Sequence, residues 1–335
     1  MATWRSKVAG SLGASLVVAG AAAGVGTAGA ATARRAVAHR SLTTLNLSYT
    51  QYANDGALFL GMKRGFFAKE GLKLNLSPAA NPGVTVAGMA SGQYQLGFLT
   101  FVVAIDATAH GSKVKCVSNV DGNQGANVAQ DGTLILAAPK SGITSVKQLV
   151  GKTVATVQTS SLNSLTTDEM VYEAGGNPGQ IHYVTMGFAE MPQALAQGSV
   201  QAAIATSPFG QYAAAEGAKV LGHPNVAIMS NQSTTCFGAT DGWLAHHVKE
   251  AHEFQTAMNE SIAYNKSHQK AGAATLVTAG LAKNLQQALG IKLGTNWNPK
   301  LLNSSVILTE HLMERFGFMR ASEAPSPSSV IFPGT

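Results

Sequence analysis

The sequence predicts an α/β fold of two lobes, each a mostly parallel sheet flanked by helices. Three observations carry that prediction. Short β-type runs alternate with helical patterns from Leu42 to about Gly222, as expected for parallel strands joined by crossover helices. The stretch Met89–Thr100 recurs as Leu195–Thr206, with one shared order: helix end, glycine, glutamine, apolar strand, hydroxyl. Beyond His246 the pattern turns helical, with no strand signals between the helices.

The strands are expected at Thr44–Tyr49, Lys73–Ser77, Gln95–Leu99, Val114–Val120, Thr133–Ala137, Thr153–Gln158, Ile181–Thr185, Ala202–Thr206 and Lys219–Gly222. Gly92 and Gly198 fall where a helix closes on a left-handed residue. Upstream, each copy of the repeat carries a helix, a glycine and a strand, Gly65–Ser77 in one and Tyr172–Thr185 in the other. Two lobes built on one plan enclose a cleft, lined by loops at the carboxyl ends of the strands. Asp121–Gly125 and Thr240–Gly242 read as the two crossings between lobes, where glycine gives a hinge its freedom. Helices are expected at His246–His268, Lys270–Lys283, Asn284–Leu289 and Ser304–Phe316. Ala321–Thr335, rich in Pro and Ser, reads as a tail laid over the surface or left mobile.

With 45% hydrophobic and only 12% charged residues, the chain is too apolar and too weakly charged for disorder. Two cysteines exclude a disulfide-stapled mini-scaffold. A net charge of +6 points at first sight to a polyanion partner. Five of the 23 basic residues, Arg5, Lys7, Arg34, Arg35 and Arg40, lie in the first forty positions with no acid among them. That leaves 18 basic against 17 acidic residues in the body, so no nucleic-acid partner is expected. The leader reads as a secretory signal over 1–33. Arg5 and Lys7 precede an uncharged run from Val8 to Val25, followed by Ala28-Gly29-Ala30 and Ala31-Thr32-Ala33. A retained membrane anchor is the alternative. The first cysteine is Cys116, so no lipid-attachment cysteine follows the run. The mature protein is expected outside the cytoplasm, periplasmic or extracellular.

Four post-strand loops are candidates for ligand contact. Gln51, Tyr52, Asn54 and Asp55 follow the first strand; Asn54 or Asp55 could instead cap the next helix, and Tyr52 could instead pack in the core. Thr100 can cap a helix and offer its hydroxyl to the cleft. Gln158-Thr159-Ser160-Ser161-Leu162-Asn163 opens a helix, where free amides and hydroxyls could hold an anion without Lys or Arg; a plain cap is the bland reading. Ser207-Pro208-Phe209 closes the fourth, with Phe209 as pocket wall or core. Asn123 at the first crossing and Asp241 at the second complete the set; Asp241 could equally cap the following helix.

Several motifs resemble those of the periplasmic solute-binding proteins of ABC importers, in the nitrate, sulfonate, taurine and thiamine-precursor branch. Gly61-Met-Lys-Arg-Gly-Phe-Phe-Ala-Lys-Glu-Gly-Leu-Lys-Leu74 is similar to that family's signature, and Met89–Phe98, Ala109–Lys115, Ser141–Ala155 and Gly198–Ala203 follow in the family's order. The family usually has Asp where this chain has Gln95 and Gln201. Many members have a Trp-Glu-Pro-like turn at Ser207-Pro208-Phe209, and the family's cationic anchors for oxyanions are missing from the candidate loops. The resemblance implies a type II periplasmic-binding-protein-like fold with a two-stranded hinge. It divides the chain into lobe I at 34–122 and 237–335 and lobe II at 123–236. It implies a monomeric binder, not an enzyme, with no cofactor, that hands a small ligand to permease subunits. A small organic anion, such as a sulfonate, taurine, a nitrate-like ion or an aromatic carboxylate, is the expected ligand; a neutral heterocycle is the alternative.

Enzyme readings on the same fold, desulfinase-like or pyrimidine-precursor synthase-like, want a reactive cysteine, and Tyr49–Asp55 holds none. A sensory ligand-binding module is a further alternative. His246, His247 and His252 are off one helical face and read as a solvated helix, not a metal site. In the implied fold the strands bearing Cys116 and Cys236 are neighbours. A disulfide at the hinge base is expected in an oxidising compartment; two buried inert thiols are the alternative.

Overall fold

The computed structural model of the chain describes residues 41–122, 127–128, 131–291 and 299–334. The first sheet begins with β1 (Thr43–Tyr49), β2 (Leu72–Pro78), β3 (Leu96–Thr100) and β4 (Val114–Gly122). Between them run α1 (Gly56–Arg64), α2 (Phe66–Lys69), α3 (Pro82–Ala90) and α4 (Phe101–Ala109). The chain then crosses to a second sheet through β5 (Thr133–Ala137), β6 (Thr153–Thr156), α5 (Leu162–Glu173), β7 (His182–Thr185), α6 (Met191–Gln197), β8 (Ala202–Thr206), α7 (Phe209–Ala215) and β9 (Lys219–Gly222). It returns through α8 (Pro224–Ile228) to β10 (Ser233–Thr240). The remainder is α9 (Asp241–Leu244), α10 (Val248–Ser267), α11 (Gln269–Thr278), α12 (Leu285–Gly290), α13 (Asn303–Arg315) and α14 (Pro327–Val330).

The two sheets share one topology. Their strand orders are β2-β1-β3-β10-β4 and β7-β6-β8-β5-β9. In each, the fourth position holds the single antiparallel strand, β10 in one and β5 in the other. That strand is the first one the chain enters after crossing between sheets. The α/β, two-lobed, mostly parallel architecture expected from the sequence is what the fold shows.

The internal repeat has a physical basis. Gly92 and Gly198 close α3 and α6 with φ of 79° and 71°, a conformation that costs a Cβ-bearing residue about 1–2 kcal/mol. Gln95 then turns its side-chain oxygen onto the Asn46 N–H at 2.8 Å, and its own N–H donates to the Asn46 carbonyl at 2.9 Å. Gln201 does the same with Thr153, at 2.8 and 3.1 Å. Each glutamine stands just before the last strand of its unit and ties it to the first. The bonds use only a side-chain carbonyl, so Gln fills them without a carboxylate.

Helices cover both faces of each sheet. On one face of the first sheet Phe98, Phe237, Phe254 and Phe67 pack in series, with centroids 5.5–6.4 Å apart. On the other, α4 and α13 bury Phe101, Ile105, Val306 and Leu312. Cys116 on β4 and Cys236 on β10 are joined by a disulfide and are fully buried. The second sheet is covered likewise, by Met191 and Leu195 of α6 on one face and Val171 of α5 on the other. The halves also meet away from the sheets. Glu169 of α5 pairs with Arg315 of α13, and Tyr172 packs edge-on against Phe316 at 6.1 Å.

Three expectations change. The ninth strand expected, Lys219–Gly222, is not the last. Ser233–Thr240 forms β10, and all but its final residue are buried. A strand buried on both faces has no alternating pattern to read, and Ser, Thr and Gly mask its apolar content. Consequently the second crossing is not Thr240–Gly242. The chain rejoins the first sheet at Ser233, and Thr240 instead caps α9, accepting from the Trp243 N–H at 3.2 Å. The end of the chain is no loose tail either. Ile331 pairs in parallel with Cys116, the Phe332 N–H donates to the Cys116 carbonyl at 2.9 Å, and Val330 is fully buried. Among the described residues no helix is long and apolar enough to cross a membrane; the leader lies outside them.

Candidate functional site

The carboxyl ends of the parallel strands in both sheets open onto one cleft. Its volume is about 260 Å³. The first half contributes Thr50 and Gln51 after β1 and Ala79, Ala80 and Asn81 after β2. The second contributes Val157 after β6, Thr185–Glu190 after β7, and Phe209 after β8. Val157 and Phe209 supply apolar walls, together with Met186 and Phe188. Gln51 and Asn81 supply amides. Among the described residues the lining contains no Lys, Arg or His and a single acid, Glu190.

Buried polar atoms with no hydrogen-bond partner among the described residues include the hydroxyls of Thr50 and Thr235, Oδ1 of Asp55 and Oε1 of Gln158. Thr50 lines the cleft itself. Thr235 pairs in register with Thr100, so both sit at the same edge of the first sheet. Leaving such atoms bare costs about 1–3 kcal/mol each, so these are places where a ligand or water is favoured.

The structure treats the expected residues differently. Gln51 and Phe209 line the cleft from opposite halves. Tyr52 is core, its ring edge-on to Phe98 at 5.0 Å. The Asn54 side chain and all of Asn123 lie outside the described residues. Asp55 is fully buried; one oxygen accepts from the Tyr52 N–H at 3.3 Å. Burial pushes its carboxyl well above the ordinary range, opposed only by that amide. Its charge in turn helps burial to raise the Tyr49 phenol. Thr100 caps α4, accepting from the Val103 N–H at 3.3 Å.

The loop opening α5 is largely self-bonded. Ser161 Oγ accepts from the Ser164 N–H at 3.2 Å, and Ser164 Oγ donates to the Thr159 carbonyl at 2.6 Å. Thr159 and Ser160 are exposed, whereas Asn163 is buried. Gln158 reaches towards the first turn of α3, its Oε1 3.5 Å from where a Cβ on Gly83 would stand. Ser207 is buried, its hydroxyl donating to the Gly132 carbonyl at 3.0 Å. Its own carbonyl accepts from the Ala53 N–H at 2.9 Å, a direct bond between the halves.

Asp241 is not brought to the cleft. β10 runs antiparallel to its neighbours, so Thr240 pairs with Val114 at the start of β4. Asp241 therefore sits at the far edge of the sheet, 3.9 Å from Lys115 Nζ. Two wall segments, Ala79–Asn81 and Thr185–Glu190, are not among the loops singled out from sequence. Both follow strands that were predicted, so the post-strand rule that named the other loops also names these. No cluster of three His, Cys, Asp or Glu placed to hold a metal occurs among the described residues.

A sequence profile of the family described as NMT1/THI5 like matches residues 53–271. A 4-amino-5-hydroxymethyl-2-methylpyrimidine phosphate synthase of Uromyces fabae is 24% identical over 214 residues, covering 60% of this chain and 60% of that protein. Among solved structures, the ligand-binding component of an ABC-type import system from Staphylococcus aureus superposes with a TM-score of 0.73 at 16% identity, over 87% of this chain and 97% of that one. The alkanesulfonate-binding protein of Xanthomonas axonopodis pv. citri gives 0.69 at 16% identity, over 86% and 96%. The periplasmic nitrate-binding protein of Synechocystis PCC 6803 gives 0.68 at 14%, over 84% and 83%. At these identities the structural likeness establishes a shared fold.

Proposed function

The chain belongs to the NMT1/THI5-like family, and from that premise we propose that it is the extracytoplasmic substrate-binding component of an ABC importer. The observation that carries this reading is the shared cleft: loops from both sheets line it at the carboxyl ends of their strands. A ligand touching both walls favours the closed arrangement, because only there does it make both sets of contacts. The binding proteins that share the fold support the reading. Signal cleavage within 1–33, release as a monomer and delivery to permease subunits belong to the same proposal, as does the division into a discontinuous first lobe and a continuous second.

The ligand is a small organic molecule with an apolar body. An anionic head group, as in a sulfonate, taurine or an aromatic carboxylate, would be held by amides and hydroxyls alone. A second reading, a neutral heterocycle, is favoured by the lining: Phe188 and Phe209 offer rings, and among the described lining residues the one ionisable side chain is an acid. An enzyme on this fold, of the kind the Uromyces relative names, is the rival class.

Thermal shift of the purified chain tests these readings against taurine, an alkanesulfonate, nitrate, benzoate and an aminopyrimidine. A ligand at about 100 times its Kd adds about 2.7 kcal/mol of stability. A shift by one organic probe without its turnover supports the binder. Turnover of that probe establishes the enzyme, and no shift by any of them refutes the proposed ligand class.

A further inference from the structure

The two chain crossings meet at one buried carboxylate. Asp131 lies just ahead of β5 on the first crossing and is 4% exposed. One of its oxygens accepts from the Thr133 N–H at 2.8 Å, the other from the Val226 N–H at 2.8 Å. Val226 belongs to α8, on the second crossing. The connection continues through neighbouring side chains. Asn225 Nδ2 donates to Thr133 Oγ1 at 3.0 Å, and Asn225 Oδ1 accepts from Thr166 Oγ1 of α5 at 2.9 Å. Thr133 Oγ1 also lies 3.2 Å from Thr206 Oγ1, at the carboxyl end of β8. The next residue, Ser207, is held to the first crossing through its N–H, which donates to the Gly132 carbonyl at 2.8 Å.

We infer that Asp131 is a positioning residue that locks both crossings to the second-lobe wall of the cleft, so that bending at the crossings and placement of the Ser207–Phe209 loop change together. Sliding one crossing past the other breaks a bond to a buried carboxylate and leaves a buried N–H bare, each of which is disfavoured. Any bend between the lobes therefore carries the clamp and the Ser207–Phe209 loop as one body. Thr206 and Ser207 hang from the same node, and Phe209 two residues on is a wall of the cleft. Ser207 also carries the bond to Ala53 of the first lobe. The inference rests on the proposed binding reading only in taking the lobes to move.

The test uses the full chain without ligand. Spin labels on Lys73→Cys and His182→Cys, exposed positions on the edge strands β2 and β7, report the lobe-to-lobe distance; both native cysteines are bridged and buried. Hydrogen exchange reports the individual amides. Asp131→Ala is expected to broaden the distance distribution and to speed exchange at Thr133, Val226 and also Ser207, each by about tenfold. Faster exchange at Thr133 and Val226 alone, with the Ser207 amide and the distance distribution unchanged, reduces Asp131 to a cap of α8 and overturns the inference. Should the alanine variant fail to fold, Asp131→Asn keeps the shape and one acceptor, and the same pair of outcomes decides. The ligand panel does not enter this comparison, so a chain that binds none of those probes refutes the binding reading and leaves the Asp131 result standing.

Discussion

Asp168 gives the most exacting test of the energetics. It lies on α5, 5% exposed, and its Oδ1 accepts from the Tyr183 hydroxyl at 2.7 Å. Burial raises its pKa from 3.8 to about 7, against the lowering effect of that bond. A raised carboxyl means that the folded chain holds a proton the unfolded chain has released. Between 3.8 and 7 folding therefore becomes less favourable as pH rises, and the loss is complete above 7. A pKa unit is worth about 1.4 kcal/mol, so the span from about pH 5 to 7 costs on the order of 3 kcal/mol. Asp168→Asn retains an acceptor for Tyr183 and has nothing to ionise. Asp55 and Glu310, which burial also raises, are present in both chains and cancel in the difference. Urea melts of both proteins near pH 5 and pH 8.5 should show the variant gaining a few kcal/mol, on the order of 3, relative to wild type at the higher pH. Equal differences at the two pH values would show that the carboxylate is ionised and tolerated in the fold, and the burial argument would fail.

Replacing Cys116 and Cys236 together by Ala should cost about 2–5 kcal/mol, read from the urea midpoint; an unchanged midpoint would mean that the crosslink constrains nothing. Gln95→Leu and Gln201→Leu should each lose about 1 kcal/mol, by stranding the N–H of Asn46 or Thr153, and similar losses at both sites would show the repeat to be energetic as well as geometric. Thr159→Ala with Ser160→Ala should leave thermal stability nearly unchanged, because both are exposed. If affinity for the probe that binds is also unchanged, the anion role of that loop is excluded.

Much of the fold is legible because short apolar runs bounded by turn residues announce themselves as strands. Thr133–Ala137, Ala202–Thr206 and Lys219–Gly222 are bounded by turns and coincide with β5, β8 and β9. β10 enters only through the resemblance, as the strand bearing Cys236, and has no readable pattern of its own because its Thr-rich sequence is buried on both faces. That gap also misplaces the second crossing and draws Asp241 towards a cleft it never reaches. Residue type was a weaker guide in the site. Tyr52 and Ser161 have the right chemistry for a ligand, but the ring is spent on Phe98 and the hydroxyl on its own helix. Only tertiary packing decides between such uses.

The late arrival of β10 in the first sheet has a consequence for assembly. Residues 133–222 supply every strand of the second sheet, so that half closes on itself from one continuous stretch. The first sheet must wait. Its interior strand β10 lies beyond that stretch, and the Ile331 pairing on β4 comes only at the end of the chain. Long-range pairing of this kind is slow, because the loop must be closed before the contacts reward it. A chain emerging from its amino end would thus carry β1 to β4 as an unfinished sheet while the later half is already set. Pulsed hydrogen exchange during refolding should find β5–β9 amides protected before those of β3 and β4; the reverse order would place the nucleus in the first sheet.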